Sequence, residues 1–118
     1  MREETVISPL IMKDAMIVLT TTSSRQEAEN IAEYLVKKRL AACVQIMPKI
    51  HSIYVWKKNL CKEREVLLFI KSRRALFKEV EKVIKQHHSY EVPEIMALPI
   101  MAGSSSYLQW MKQSLRSK

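Results

Sequence analysis

The sequence predicts an α+β domain: a four-stranded antiparallel sheet with helices on one face, followed by one more helix after the last strand. Three observations carry that expectation. Residues 16–22 and 66–70 are continuously apolar and rich in β-branched side chains, the pattern of strands buried on both faces. Residues 28–36 and 76–84 place apolar side chains at helical spacing. The units follow one another as strand–helix–strand twice over. With right-handed crossovers, that order closes into a single sheet, the ferredoxin-like βαββαβ arrangement.

The size of the chain fits this plan. Its 118 residues are enough for one domain with one modest core. Residues 1–14 read as an N-terminal extension and residues 15–118 as the domain. Within the extension, the apolar run at 6–12 is short and broken by Pro9, which excludes a signal peptide or a membrane span. The single glycine, Gly103, excludes a Gly-rich phosphate loop or dinucleotide fingerprint. A net charge of +8 favours anionic surroundings. The basic residues are nevertheless scattered over helix faces and strand ends with no aromatic residues between them, so they read as a solvated surface rather than a nucleic-acid stripe. Cys43 and Cys61 do not make a disulfide framework in a domain with its own core, which points to reduced thiols and a cytoplasmic protein.

Taken in order, the first strand runs through residues 16–22. Ser24 with Glu27 three residues on fits a capping box, and the helix it opens has Ala28, Ile31, Ala32, Leu35 and Val36 on its apolar face. From Ala41 the period changes to two and continues, past Pro48, to Trp56. Pro48 cannot donate to a ladder, so this strand belongs at an edge or carries a bulge. Lys57, Lys58 and Asn59 read as a turn, and residues 42–70 become one long hairpin. A strand from 42 to 56 far exceeds the usual ~5–6 residues, and a bare edge of that length invites pairing with another chain. A second helix spans about 74–86, with Leu76, Phe77, Val80, Val83 and Ile84 facing inward. Residues 94–100 form the fourth strand, stopped by Pro99. The turn at 103–106 leads into a last helix with Tyr107, Leu108, Met111 and Leu115 on its apolar side. The two most apolar strands should be central and the two proline-bearing strands should be the edges.

Four motifs, in order and at matching spacing, resemble the CutA family of divalent-cation tolerance proteins. They are Ala41-Ala42-Cys43, Tyr54-Val55-Trp56-Lys57, His88-Ser89-Tyr90-Glu91-Val92-Pro93-Glu94 and Tyr107-Leu108-Gln109-Trp110. The similarity covers roughly residues 15–116. It implies a ferredoxin-like domain assembled as a homotrimer through the long second and third strands, and a role in tolerance of copper and other divalent cations. It brings no reaction with it, and the chain is read as a non-enzyme with no tightly bound cofactor. The family's placement of a histidine and a glutamate falls here on His87 and Glu94, the expected donors for modest copper binding. A bacterial cysteine near the end of the first strand is replaced by Leu19 or Thr20, which weakens a soft Cu(I) site. Ser89 stands where a proline often follows the paired histidines.

The residues themselves leave alternatives open. His87 can equally continue the apolar stripe of the second helix, with His88 solvated at its end. Cys43 reads as a packing thiol and Cys61 as the more exposed one. Trp56, Lys71, His88, Tyr90, Glu91, Tyr107 and Trp110 are candidates to wall an inter-subunit cleft, where a small anion could sit. The competing functional readings are a trimeric ligand sensor like the PII-type signalling proteins, and a scaffold that tethers a protein partner. No nucleophile–base–orienter set can be built from the spacing.

Overall fold

The computed structural model describes residues 12–117. The elements are β1 (Ala15–Thr22), α1 (Arg25–Lys37), β2 (Cys43–Trp56), β3 (Asn59–Arg73), α2 (Phe77–His87), β4 (Met96–Pro99) and α3 (Ser105–Ser114), with one 3-10 turn, Arg74–Leu76, leading into α2. The strands form one antiparallel sheet in the order β2-β3-β1-β4. The apolar strands β1 and β3 are therefore central, and the strands that carry Pro48 and Pro99 take the edges. Pro48 sits where the β2–β3 register shifts between Met47 and Ile50, the bulge its missing N–H calls for.

Pleating sorts the sheet into two unlike faces. Val18, Thr20 and Thr22 stand opposite Ile70, Leu68 and Val66, and all are buried beneath the helices. Ala28, Ile31 and Leu35 of α1 join Val80, Val83 and Ile84 of α2 in this core. Ile17, Leu19 and Thr21 stand opposite Lys71, Phe69 and Leu67, with Leu98 and Met96 of β4 beyond them. No helix among the described residues covers this second face, and Met47, Met96 and Leu98 on it are about half exposed.

β1 ends opposite Val66, yet β2 and β3 continue past it as a two-stranded arm to the Trp56–Asn59 pair. The arm gives the molecule a long axis of 51 Å against 24 and 22 Å across. Lys57 and Lys58 make a two-residue turn with φ of 50° and 69°, the left-handed pair that matches strand twist in a hairpin.

α1 ends in a Schellman motif. Leu40 N donates to Leu35 O, and Arg39 N to Val36 O, with Arg39 in the left-handed region at φ 59°. Arg39 also fixes α3: its guanidinium donates to the carbonyls of Gln113, Ser114 and Leu115.

Two inward assignments do not hold. Val36 and Tyr107 are exposed rather than buried, because Ala28, Ile31, Ala32 and Leu35 already fill the buried stripe of α1, and Leu108, Met111 and Ser105 that of α3. At the N-terminus, Met12 is buried in the core and Asp14 pairs with Arg73, so residues 12–14 pack onto the domain. The rest of the extension lies outside the described residues.

Candidate functional site

The segment between α2 and β4 holds the concentration of imidazole, phenol and carboxylate that singled it out in the sequence. α2 ends at His87, and residues 88–95 cross the sheet end without regular structure before β4 begins. Because β4 pairs only with Met16–Leu19, the edge of β1 beyond Leu19 has no strand neighbour on that side among the described residues. His88 supplies one. Its side chain is fully buried, Nε2–H donates to Thr21 O at 2.6 Å, and Nδ1 accepts from Tyr90 N at 3.1 Å. Those two contacts select the neutral tautomer protonated on Nε2. The expectation of a solvated His88 is thus reversed: the backbone needs its ring.

His87, one residue earlier, points elsewhere. Its Nδ1–H donates to Val83 O at 2.9 Å, and its ring packs on Tyr34 of α1 with centroids 4.9 Å apart. It is exposed rather than part of the buried stripe, since Val80, Val83 and Ile84 complete that face.

Glu27 clamps the same segment from α1. The Ser24 hydroxyl accepts from Glu27 N at 3.1 Å, as a capping box requires. The carboxylate does not return to Ser24, because it accepts instead from Ser89 N at 3.1 Å and Ser89 Oγ at 3.2 Å. Ser89 therefore gives the turn a hydroxyl anchor where a proline would offer none.

Between this segment and the β2–β3 arm lies a groove of about 590 Å³. Trp56, Tyr90, Glu91 and Glu94 line it, together with Tyr54, Glu63 and Glu65, which sequence reasoning did not select. A period-two signal was present: Glu63 and Glu65 alternate with Lys62 and Arg64, so β3 carries acid on one face of the arm and base on the other. The Tyr90 phenol donates to Glu65 Oε2 at 2.7 Å, and Tyr54 donates to Glu63. Burial, and then the hydrogen bond and charge of Glu65, push the Tyr90 phenol well above its ordinary range.

Lys71, Tyr107 and Trp110 form a separate cluster. Lys71 Nζ donates to Tyr107 Oη at 3.2 Å, and the Tyr107 and Trp110 rings stack at 5.4 Å. The cleft candidates are thus divided within one chain: Trp56, Tyr90 and Glu91 line the groove, His88 braces its floor, and Lys71, Tyr107 and Trp110 stand apart from it. Among the described residues, no Lys, Arg or His lines the groove, while four glutamates do, so its own electrostatics oppose a small anion there.

As to metal, Glu94 lines the groove and His87 does not. Among the described residues, no three His, Cys, Asp or Glu side chains converge as a metal centre would need. Leu19 lies on the uncovered sheet face, and Thr20 is buried beneath the helices. Cys43 and Cys61 are both partly buried free thiols, with Cys61 Sγ 3.6 Å from Asn59 O.

The comparisons with known proteins agree with one another. The model of the CutA1 divalent ion tolerance protein family matches residues 16–114. The divalent-cation tolerance protein CutA of Thermus thermophilus is 42% identical over 98 residues, which are 83% of this chain and 95% of that protein. The chloroplastic protein CutA of Arabidopsis thaliana is 39% identical over 87% of this chain, and this chain spans only 57% of its length. The crystal structure of CutA1 from Oryza sativa superposes with a TM-score of 0.86 at 36% identity, covering 89% of this chain and 96% of that one. The chain belongs to the CutA1 divalent ion tolerance protein family.

Proposed function

We propose that this protein serves in the response to divalent cations as a homotrimer built on the β2–β3 arm and the uncovered sheet face. The observation that carries the assembly is that face. Ile17, Leu19, Leu67, Phe69, Met96 and Leu98 form a continuous apolar surface with no helix over it among the described residues. Beside it, a two-stranded arm of the kind that is marginal alone extends beyond the domain. Both features ask for other copies of the chain, and sheet faces meeting around a threefold axis would satisfy both. The divalent-cation role rests on family membership and on the relatives' names.

Sedimentation equilibrium at micromolar concentration tests the assembly. The expected mass is three times that of the chain. A monomer would overturn the reading, together with any site that needs a second subunit.

Copper binding is the second part of the proposal. His87 offers Nε2, since its hydrogen bond among the described residues uses Nδ1, and Glu94 offers a carboxylate. Two donors from one chain make at most a modest site, and further donors would have to come from a neighbouring subunit. Calorimetric titration with copper and zinc should show heats that His87→Ala diminishes. Identical, negligible heats for both proteins would remove the site. The proposal includes no catalysis and places the protein in the cytoplasm. Relatives carry other placements in their names, chloroplastic in Arabidopsis thaliana and periplasmic in Archaeoglobus fulgidus.

A further inference from the structure

The β2–β3 arm has two unlike faces, because charge alternates along β3 through Lys62, Glu63, Arg64 and Glu65. Glu63 and Glu65 fall on the side of Leu67 and Phe69. They extend the uncovered sheet face and, with Tyr54 and Trp56 of β2, wall the groove. Lys62 and Arg64 fall on the other side, with His51 opposite Arg64 and Val55 opposite Leu60 nearer the tip. Val55 and Leu60 are 66% and 64% exposed.

Each face lacks what the other carries. Glu65 is 7% exposed and accepts from the uncharged Tyr90 phenol, and among the described residues no cation pairs with it. A buried carboxylate is destabilising unless a counter-charge reaches it. Glu91 and Glu94 add to the negative charge along the groove. Lys62 and Arg64 are exposed, and among the described residues neither meets a carboxylate.

The two faces point in opposite directions, so a contact that satisfies both must join the acidic face of one copy to the basic face of another. Such a contact is heterologous, and it repeats from copy to copy until it closes as a ring. A twofold pairing of either face would set acid on acid or base on base.

We infer that, within the homotrimer, the basic face of each arm seats in the groove of the next copy, where Arg64 of the partner subunit supplies the counter-charge of Glu65. Lys62 of the partner subunit meets the glutamates at the rim. Val55 and Leu60 of the partner subunit lie against Tyr54 and Trp56, which removes apolar surface from water on both copies. The inference rests on the trimeric reading, and adds to it the residues that fix the direction of the ring and the register of the contact.

Sedimentation across a dilution series tests it, in urea below the unfolding transition so that dissociation falls within the measured range. Arg64→Glu replaces an attraction by a repulsion at every contact, and the concentration at half dissociation should rise at least about tenfold. Adding Glu63→Lys at the exposed rim restores opposite charges and should recover most of that loss. Far-UV circular dichroism checks that the variants are folded. Should Arg64→Glu not fold, Lys62→Glu with the same second change makes the comparison.

Dissociation of Arg64→Glu no easier than that of the native protein overturns the inference and leaves the trimer standing. A loss that Glu63→Lys does not recover overturns it too, since Arg64 would then act without the groove. A native protein that is monomeric at micromolar concentration overturns the trimer itself, and this contact with it.

Discussion

His88 Nε2–H donates to the carbonyl of Thr21 across 2.6 Å, completing the hydrogen bonding of β1 at the point where β4 gives out. Nδ1 of the same ring receives Tyr90 N, so one fully buried imidazole ties the central strand to the groove segment. His88→Ala leaves a buried carbonyl and a backbone N–H without partners and opens a cavity. The expected loss is about 2–4 kcal/mol. Urea denaturation followed by tryptophan fluorescence measures it. A loss near zero would mean that the imidazole is not structural.

Tyr90 gives the fold a sensitivity to alkali. Its folded-state ionisation is raised above the ordinary phenol value of 10.0, so the folded protein holds the phenolic proton longer than the unfolded chain does. That contribution is fully present below the unfolded value and is lost as pH rises above it. Stability should therefore decline above about pH 10. In Tyr90→Phe, which cannot ionise, the decline should be shallower. Thermal unfolding of both proteins across that range makes the comparison.

At the opposite end of the sheet, Asp14 accepts from Arg73 Nε at 3.0 Å and from Nη2 at 3.2 Å. Burial alone would raise its carboxyl, but the hydrogen bond and charge of Arg73 outweigh that and hold it below the usual carboxylate value. The sign is opposite to that of Tyr90: the stabilisation is present above the unfolded carboxyl value and lost as pH falls through the folded one. Asp14→Asn should cost about 1 kcal/mol at neutral pH and flatten the acid limb of the stability profile. Equal slopes for both proteins below about pH 4 would contradict this.

The arm's turn runs against residue preference. Lys57 and Lys58 both hold positive φ, where a side chain crowds the backbone and Asn-Gly is the favoured pair. Replacing them by Lys57→Asn with Lys58→Gly should stabilise the protein by roughly 0.5–1 kcal/mol. Chemical denaturation reads the gain directly. Destabilisation would show that the lysines make contacts worth more than the strain they bear.

Much of this was legible before any coordinates. The element order, the central place of β1 and β3 and the Pro48 bulge follow from apolar runs and from a residue that lacks an N–H. These signals are local, and tertiary packing reinforces them rather than competing with them. The exposed positions of Val36 and Tyr107 were not legible. Each lies at the margin of a helical stripe, and the width of the stripe that is buried depends on what packs against it.

The sequence by itself determined that residues 87–94 matter, because imidazole, phenol and carboxylate crowd together there beside Pro93. Only the tertiary structure decided what each does. It buried His88 under β1, turned His87 toward Tyr34, drew Glu27 away from its own helix to hold Ser89, and set Tyr90 against Glu65 from β3. The physical reason is separation along the chain. Glu65 lies 25 residues from Tyr90 and Thr21 lies 67 from His88, and contacts at such range are chosen by sheet register and loop path, which no local pattern of residues encodes.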